Sequence, residues 1–216
     1  MTSVVMNHFA TNFESDYEPI DFKNSLEDFK EFQHAAHAML FARDTERFWN
    51  ALEKKAQILM HIRFDGYLGF PGGLIDKGES VLVGLQREIQ EEIGLDPTCF
   101  PFTNSDHVSS HINYKTKLAL HFFAKEVTLE EFKMLESNMM TSKEFGVEVL
   151  GPTRVPLYTM EDGYRGLPVF LNNMFIGNSR HQLLNCALKF NLLSKQEIDE
   201  ALEASNRINN VVNKSS

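Results

Sequence analysis

Apolar runs separated by polar segments divide this chain into short strands and amphipathic helices. Residues 35–42 and 56–64 are nearly continuous apolar runs, which are typical of buried strands. The charged stretch 43–55 between them is expected to be a connection. Further strands are predicted over residues 67–70, 106–114, 117–127 and 147–156.

Helical spacing and capping residues identify the helices. The clearest helix spans residues 80–93, where Ser80 can cap the first turn and Gly94 can end the last turn. Its buried face is predicted to be an apolar stripe made by Val81, Leu85 and Ile89. Thr128 and Glu131 have the spacing of a capping box at the start of another helix. Three more helices are predicted over residues 25–32, 177–190 and 194–204.

Strands that alternate with helices indicate the α/β class, as a mixed sandwich in a single domain. A chain of 216 residues that is 43% hydrophobic can bury one sizeable core. We assign residues 25–204 to this domain. Residues 1–24 show no clear period and are predicted to be a flexible arm, with Phe9 and Phe13 as candidate docking residues. Residues 205–216 are predicted to be a frayed tail.

Charge and composition exclude several classes of protein. A formal net charge of -9 argues against a general nucleic-acid-binding surface, which must be basic to neutralise phosphates. No apolar run approaches the ~20 residues of a membrane span, and the N-terminus has no signal-peptide pattern. Cys99 and Cys186 have the spacing of neither a disulfide framework nor a zinc site. We therefore expect a soluble intracellular protein whose partners include neither a membrane nor DNA.

One face of the predicted helix 80–93 carries the candidate chemistry. Glu88, Glu91 and Glu92 share this face because successive helical residues advance by roughly 100°. Such crowding destabilises a helix unless a cation offsets it, although a solvated acidic face is the common alternative. The preceding Gly72-Gly73 pair lets the backbone approach an ion closely. Magnesium favours carboxylates and phosphates, so the pattern indicates metal-assisted phosphoanhydride hydrolysis.

The surrounding motif resembles the signature of the Nudix hydrolases. It consists of Gly73, five residues, Glu79, seven residues, and then Arg87-Glu88-Ile89-Gln90-Glu91-Glu92-Ile93-Gly94-Leu95. The resemblance implies a Nudix-type α/β/α sandwich around a mixed sheet. It also implies that Mg²⁺ or Mn²⁺, with Co²⁺ as a further candidate, is bound by Glu88, Glu91 and Glu92, one of which could also act as base. The Gly72 carbonyl is a candidate additional ligand, Glu79 has a peripheral role, and Arg87 orients a glutamate.

Other segments resemble the branch of the Nudix family that removes caps from small nucleolar RNA and hydrolyses inosine diphosphate. The resemblance covers residues 35–193 and includes the stretches 58–73, 109–111, 119–125 and 146–151. It implies that His37 and Phe70 enclose a purine base and that Arg63 and Gln182 hold the ligand. His111 is a further candidate contact near the metals. His37, Phe70, Arg63 and Gln182 each also have an ordinary structural explanation, in the core, at a strand edge or on a helix surface.

The same resemblance implies substrates, assembly and location. Expected substrates are purine nucleoside diphosphates of the inosine or deoxyinosine type and capped snoRNA or mRNA. A homodimer and residence in the nucleolus, nucleoplasm and cytoplasm are also expected. Two alternatives stay open: a catalytically weak RNA- or protein-binding module, and a hydrolase of NAD- or FAD-type dinucleotides and caps. Asn185 departs from the family pattern, in which an acid lies near this position.

Overall fold

One mixed sheet of eight strands organises the residues that the computed structural model describes, 16–96 and 98–212. The strands are β1 (Glu18–Ile20), β2 (Gln33–Phe48), β3 (Leu52–Arg63), β4 (Leu68–Gly69), β5 (Gly72–Leu74), β6 (His107–Asn113), β7 (Leu118–Glu126) and β8 (Val149–Arg154). Their order is β1-β6-β7-β2-β3-β4, with β5 paired to β2 and β8 paired to β3. Strands β2 and β7 run parallel, and the other pairs are antiparallel.

Helices cover both faces of this sheet, which confirms the predicted α/β sandwich. They are α1 (Phe22–Asp28), α2 (Val81–Ile93), α3 (Leu129–Met139), α4 (Leu167–Phe170), α5 (Ser179–Lys189) and α6 (Lys195–Val212). Alternate side chains of β2 point to opposite faces, so Phe41 joins the core under α4, α5 and α6, whereas Leu40 joins the core under α2 and α3. None of the helices described is long and apolar enough to cross a membrane.

Local sequence signals correctly marked the helix ends next to the acidic motif. The Ser80 side chain accepts a hydrogen bond from the Val83 backbone N–H, and Gly94 ends α2 with a φ of 69°. The capping box of Thr128 and Glu131 forms at the start of α3. The predicted apolar stripe of α2 is buried, which fixes the direction of the opposite, acidic face.

The sheet opens where β2 and β3 take different partners. These strands pair with each other from Leu40 and Leu59 to the hairpin end, but beyond that point β2 pairs with β5 and β3 pairs with β4. Residues 68–74, which we call the wedge, therefore lie between the two strands. Pro71 anchors the wedge through its carbonyl, which accepts a hydrogen bond from the Ala38 backbone N–H. The wedge, β2 and β3 together position the functional site.

The prediction that residues 43–55 form a connection is wrong. Strands β2 and β3 continue through this charged stretch to a tight hairpin loop, where Trp49 and Asn50 adopt positive φ angles of 49° and 57°. Trp49 is 82% exposed at the tip of the hairpin. Along this ribbon all residues from 43 to 55 except Asp44 are at least partly exposed, so charged side chains are accepted and the apolar pattern ends before the strands do.

The N-terminal arm is more ordered than predicted over its last residues. Glu18–Ile20 forms β1 on the edge of the sheet, and helix α1 begins at Phe22 with Asp21 as its cap. The helix predicted over residues 25–32 therefore starts and ends earlier. A strand of three residues is too short to show a period, which explains why it was missed. Phe9 and Phe13 lie outside the described residues.

The C-terminal helix is longer than predicted. It continues past the expected end at residue 204 to Val212. Ser205 is buried, and its hydroxyl donates a hydrogen bond to the Asn172 side chain. This tertiary contact fixes part of the segment that composition alone assigned to the frayed tail.

Candidate active site

Glycine is required at the point where the wedge meets β2. Gly72 has a φ of 131°, and a Cβ atom built on it would lie 2.1 Å from the Ala36 carbonyl oxygen and 2.6 Å from the His37 Cα. The Gly72 backbone N–H donates a hydrogen bond of 2.8 Å to Glu92. Close approach of two backbones thus brings the wedge directly against the acidic face of α2.

The three predicted glutamates lie in different environments. Glu92 is 3% exposed, and burial raises its pKa to about 8. Burial also raises the pKa of Glu88, whose carboxylate is held at 2.6 Å by Arg87. Glu91 is more exposed and pairs with Lys143 at 2.8 Å. Two carboxylates whose ionised form is disfavoured by burial, beside a third, form an all-oxygen donor set that suits a hard divalent cation.

The carboxylates of the three glutamates do not converge on a common metal position in this structure. Among residues 16–96 and 98–212, no three His, Cys, Asp or Glu side chains already form a group that could hold a metal ion. The reason lies in their present partners, since Arg87, Lys143 and the Gly72 N–H each hold one carboxylate. A cation that binds here would have to compete with these contacts. The oxygen donors are nevertheless of the right type and on one helix face.

Arg87 holds the acidic motif together. Its guanidinium donates two hydrogen bonds to Glu79, at 3.2 and 3.0 Å, one to Glu88, and one to the Leu74 carbonyl. The Arg87 guanidinium lowers the pKa of Glu79. Arg87 therefore links Glu79 at the start of the motif, Glu88 on the acidic face of α2, and strand β5. These contacts agree with the orienting role that the family resemblance implies.

A cavity of about 330 Å³ joins this acidic face to a wall of aromatic and amide side chains. Seven of the predicted site residues line it: His37, Arg63, Phe70, Gly72, Glu88, Glu91 and Gln182. Three elements meet here, because His37 comes from β2, Arg63 from β3 and Gln182 from α5. The structure thus brings together most of a site that is dispersed over almost 150 residues of the sequence.

The lining residues are largely buried. Phe70 is 2% exposed and packs on Phe122, with ring centroids 4.9 Å apart, so it belongs both to the core and to the cavity wall. Burial lowers the pKa of His37 to about 3, which keeps its imidazole neutral. The Arg63 guanidinium donates hydrogen bonds to Asp65. A phosphate would have to share this guanidinium with Asp65.

Four predicted residues lie outside the lining. Glu79, Arg87 and Glu92 support it from behind, through the contacts described above. His111 lies on β6, where its ring is 6.2 Å from that of His181 on α5. Its suggested contact with substrate stays a prediction. Asn185 is exposed, bonds His181 and does not line the cavity.

Several lining residues were missed by reasoning from the sequence: Tyr17, Glu144, Glu148 and Asn178. The charge of Glu148 adds to the effect of burial in raising the pKa of Glu88 and Glu92. Glu148 lies within the stretch 146–151, which resembled the family without suggesting a role. Glu144 lies next to the acidic helix because its backbone N–H bonds the Glu91 carbonyl. The acidic end of the cavity is thus larger than the motif on α2.

Comparison with known proteins gives consistent matches. A profile of the Nudt16-like family, described as U8 snoRNA-decapping enzyme-like, matches residues 34–193. The U8 snoRNA-decapping enzyme of Mus musculus is 44% identical over 164 residues, which are 76% of this chain and 84% of that protein. The Tudor-interacting repair regulator protein of Homo sapiens is 35% identical over 175 residues, 81% of this chain and 82% of that protein. A solved mutT/nudix family protein from Listeria innocua matches with a TM-score of 0.47 and 13% identity, over 74% of this chain and 94% of that chain.

Proposed function

We propose, from the premise that this chain belongs to the Nudt16-like family and is a Nudix hydrolase, that it cleaves inosine-type nucleoside diphosphates and RNA caps with Mg²⁺ or Mn²⁺. One observation carries the proposal: the acidic face of α2, with Glu88 and Glu91, and the aromatic wall, with His37 and Phe70, line the same cavity. A nucleotide diphosphate needs both, because its base must be held while its phosphates meet a cation.

The acidic end suits the diphosphate. Glu88 and Glu91 in the lining would hold the cation with the Gly72 carbonyl and with Glu92, which lies directly behind Gly72, and Glu144 and Glu148 add negative charge beside them. A bound divalent cation would neutralise phosphate charge and make water a usable nucleophile near neutral pH. Arg87 keeps Glu88 in place and the Gly72 N–H keeps Glu92 in place. In hydrolysis of inosine diphosphate, a bond would form between the water oxygen and a phosphorus while the phosphoanhydride P–O bond breaks, giving inosine monophosphate and inorganic phosphate. The proton of the water would pass to a carboxylate of the acidic face.

The other end of the cavity suits a purine. The neutral imidazole of His37 and the ring of Phe70 offer flat faces for a base, and stacking on such faces contributes ~1–3 kcal/mol per base. The Gln182 amide can read a base edge by donating and accepting hydrogen bonds. Arg63 can hold a phosphate through two hydrogen bonds. These contacts would together suit an inosine-type diphosphate.

Capped RNA is the second proposed substrate, by analogy with the decapping relative. A cap contains the same two parts, a purine and a phosphoanhydride. The chain is acidic overall, and Lys115 and Lys117 between β6 and β7 are too few to form an RNA-binding track, so the free nucleotide is the more general of the two proposed substrates. A homodimer and nuclear residence are proposed on the family relationship alone.

Phosphate release from inosine diphosphate with Mg²⁺ or Mn²⁺ tests the proposal. We expect turnover by the wild type, and at least a 100-fold loss in Glu92→Gln, on the order expected when a catalytic carboxylate is removed. Glu130→Gln, an exposed glutamate on α3, is the matched control and should retain activity. Parallel assays with cap-labelled RNA and with NAD separate the substrates. Equal turnover by wild type and Glu92→Gln would refute the assigned role, and RNA binding without any turnover would favour a binding module.

A further inference from the structure

Asn178 occupies the cap position of helix α5 without capping it. Asparagine at this position ordinarily accepts a hydrogen bond from a backbone N–H of the first turn. The Asn178 side chain makes no such bond, although the residue is 2% exposed and lines the cavity. A conventional capping role therefore does not explain this asparagine.

The Asn178 amide has no hydrogen-bond partner at either end. Both Nδ2 and Oδ1 are buried and unpaired among the described residues, and so is Nε2 of Gln182, one turn further along α5. Folded proteins pair most of their buried polar atoms, and the exceptions tend to mark functional sites. Two unpaired amides, four residues apart on one helix and lining one cavity, indicate a ligand that supplies the missing partners.

The unpaired atoms define what this ligand must offer. Asn178 Nδ2 and Gln182 Nε2 each need an acceptor, and Asn178 Oδ1 needs a donor. The requirement at Asn178 does not depend on which way its amide is turned, because both ends lack partners. A 6-oxopurine meets all three needs: its O6 carbonyl has two lone pairs, and the adjacent N1 carries a proton. Adenine presents an amino group in place of O6 and an unprotonated N1, so the Asn178 amide would have to turn over, and Gln182 Nε2 would still face a donor.

We infer that Asn178 is a specificity-determining residue that, with Gln182, reads the O6 and N1–H edge of a 6-oxopurine. The inference rests on the proposed function and extends it, because it explains why inosine-type nucleotides would be preferred to adenosine-type ones. It assigns base recognition to the first turn of α5, apart from the glutamates of α2.

Asn178→Leu tests this role, because leucine has the same branched arrangement of four side-chain heavy atoms as asparagine and no polar atoms. Binding of inosine 5′-monophosphate and adenosine 5′-monophosphate is measured by calorimetry without metal. We expect the variant to bind the inosine nucleotide about 10- to 100-fold more weakly and the adenosine nucleotide within about threefold of wild type. Its melting temperature without ligand should be unchanged or higher, because two unpaired buried atoms are removed. Asn173→Leu, an amide in the preceding loop that does not line the cavity, is the matched control.

The outcomes separate this role from others. Equal losses for both nucleotides would assign Asn178 to the sugar or phosphate and overturn the inference. Unchanged binding of the inosine nucleotide, or no measurable binding by wild type, would also overturn it. A lower melting temperature with proportionate losses for both ligands would indicate a structural role. If wild type binds the inosine nucleotide selectively but does not hydrolyse inosine diphosphate, the proposed function is wrong, whereas recognition of the base by Asn178 and Gln182 is still supported.

Discussion

Replacement of Gly72 by alanine should break the contact between the wedge and helix α2. The added Cβ would lie 2.1 Å from the Ala36 carbonyl oxygen, where ordinary contacts begin at 3.4 Å. This oxygen belongs to the backbone of β2, so the overlap can be relieved only by moving β5 away from it. A non-glycine residue at such a φ costs about 1–3 kcal/mol, and each weakened ladder bond costs about 0.5–1.5 kcal/mol.

The structure gives the size of the expected effect. Strand β5 pairs with β2 over three positions, including Gly72 with His37. Loss of two or three of these bonds together with the φ strain predicts a destabilisation of roughly 2–7.5 kcal/mol. That is a large part of the 5–15 kcal/mol typical of a domain. The hydrogen bond from the Gly72 N–H to Glu92 would be lost as well, so hydrolysis should fall further than stability alone explains.

Urea unfolding and hydrolysis of inosine diphosphate measure the two effects. Gly151→Ala is the matched control: this glycine lies in β8 with a negative or extended φ, and a Cβ there would meet nothing within 4 Å. We expect Gly151→Ala to unfold within about 0.5 kcal/mol of wild type. Gly72→Ala should unfold at a much lower urea concentration or fail to fold. If the two variants unfold within about 1 kcal/mol of each other and Gly72→Ala keeps its activity, close backbone approach does not hold the site together.

Two further predictions concern Tyr17, which precedes β1, and His121 on β7. Tyr17 lines the cavity and packs on Gly177. Tyr17→Ala should therefore raise KM for inosine diphosphate by roughly 10-fold with kcat unchanged, and Tyr17→Phe should remain close to wild type. A parallel change in kcat would contradict this prediction. His121 bonds Ser110 and His34, and burial lowers its pKa to about 3. Only the unfolded chain takes up this proton below pH 6.5, so stability is lost as pH falls, by about 2 kcal/mol at pH 5. His121→Gln should show a shallower loss in urea titrations at pH 7.5 and 5, and identical slopes would refute the assignment.

The elements predicted correctly were those whose signals are local. Ser80 and Gly94 bound α2 because capping depends on residues within one turn. The parallel pairing of β2 with β7 could not be predicted in the same way, since it joins segments about 80 residues apart. Within the wedge, β4 lies in the predicted strand 67–70, but β5 was not predicted, because a strand of three residues is too short to show a period. Short strands acquire their structure from the neighbours with which they pair.

The same distinction applies to the site. Glu88, Glu91 and Glu92 were found because helical geometry places them on one face. Glu144 and Glu148 reach the same cavity only through tertiary structure, and nothing in their local sequence indicates it. The unpaired amide of Asn178 was undetectable for a different reason. An asparagine before a helix is already explained by capping, and only the structure shows that this one does not cap.

The fork in the sheet would place the proposed chemistry and the proposed recognition of the base on separate elements of one cavity. Helix α2 packs on one face of the sheet and α5 on the other, yet both line the cavity, because β2 and β3 diverge around the wedge. The two helices are fixed by different hydrophobic cores. Substitutions on the cavity side of α5 can therefore change which base is held without moving the glutamates of α2. Such variants should alter relative affinities for bases, whereas variants on the acidic face should lower turnover for every substrate alike.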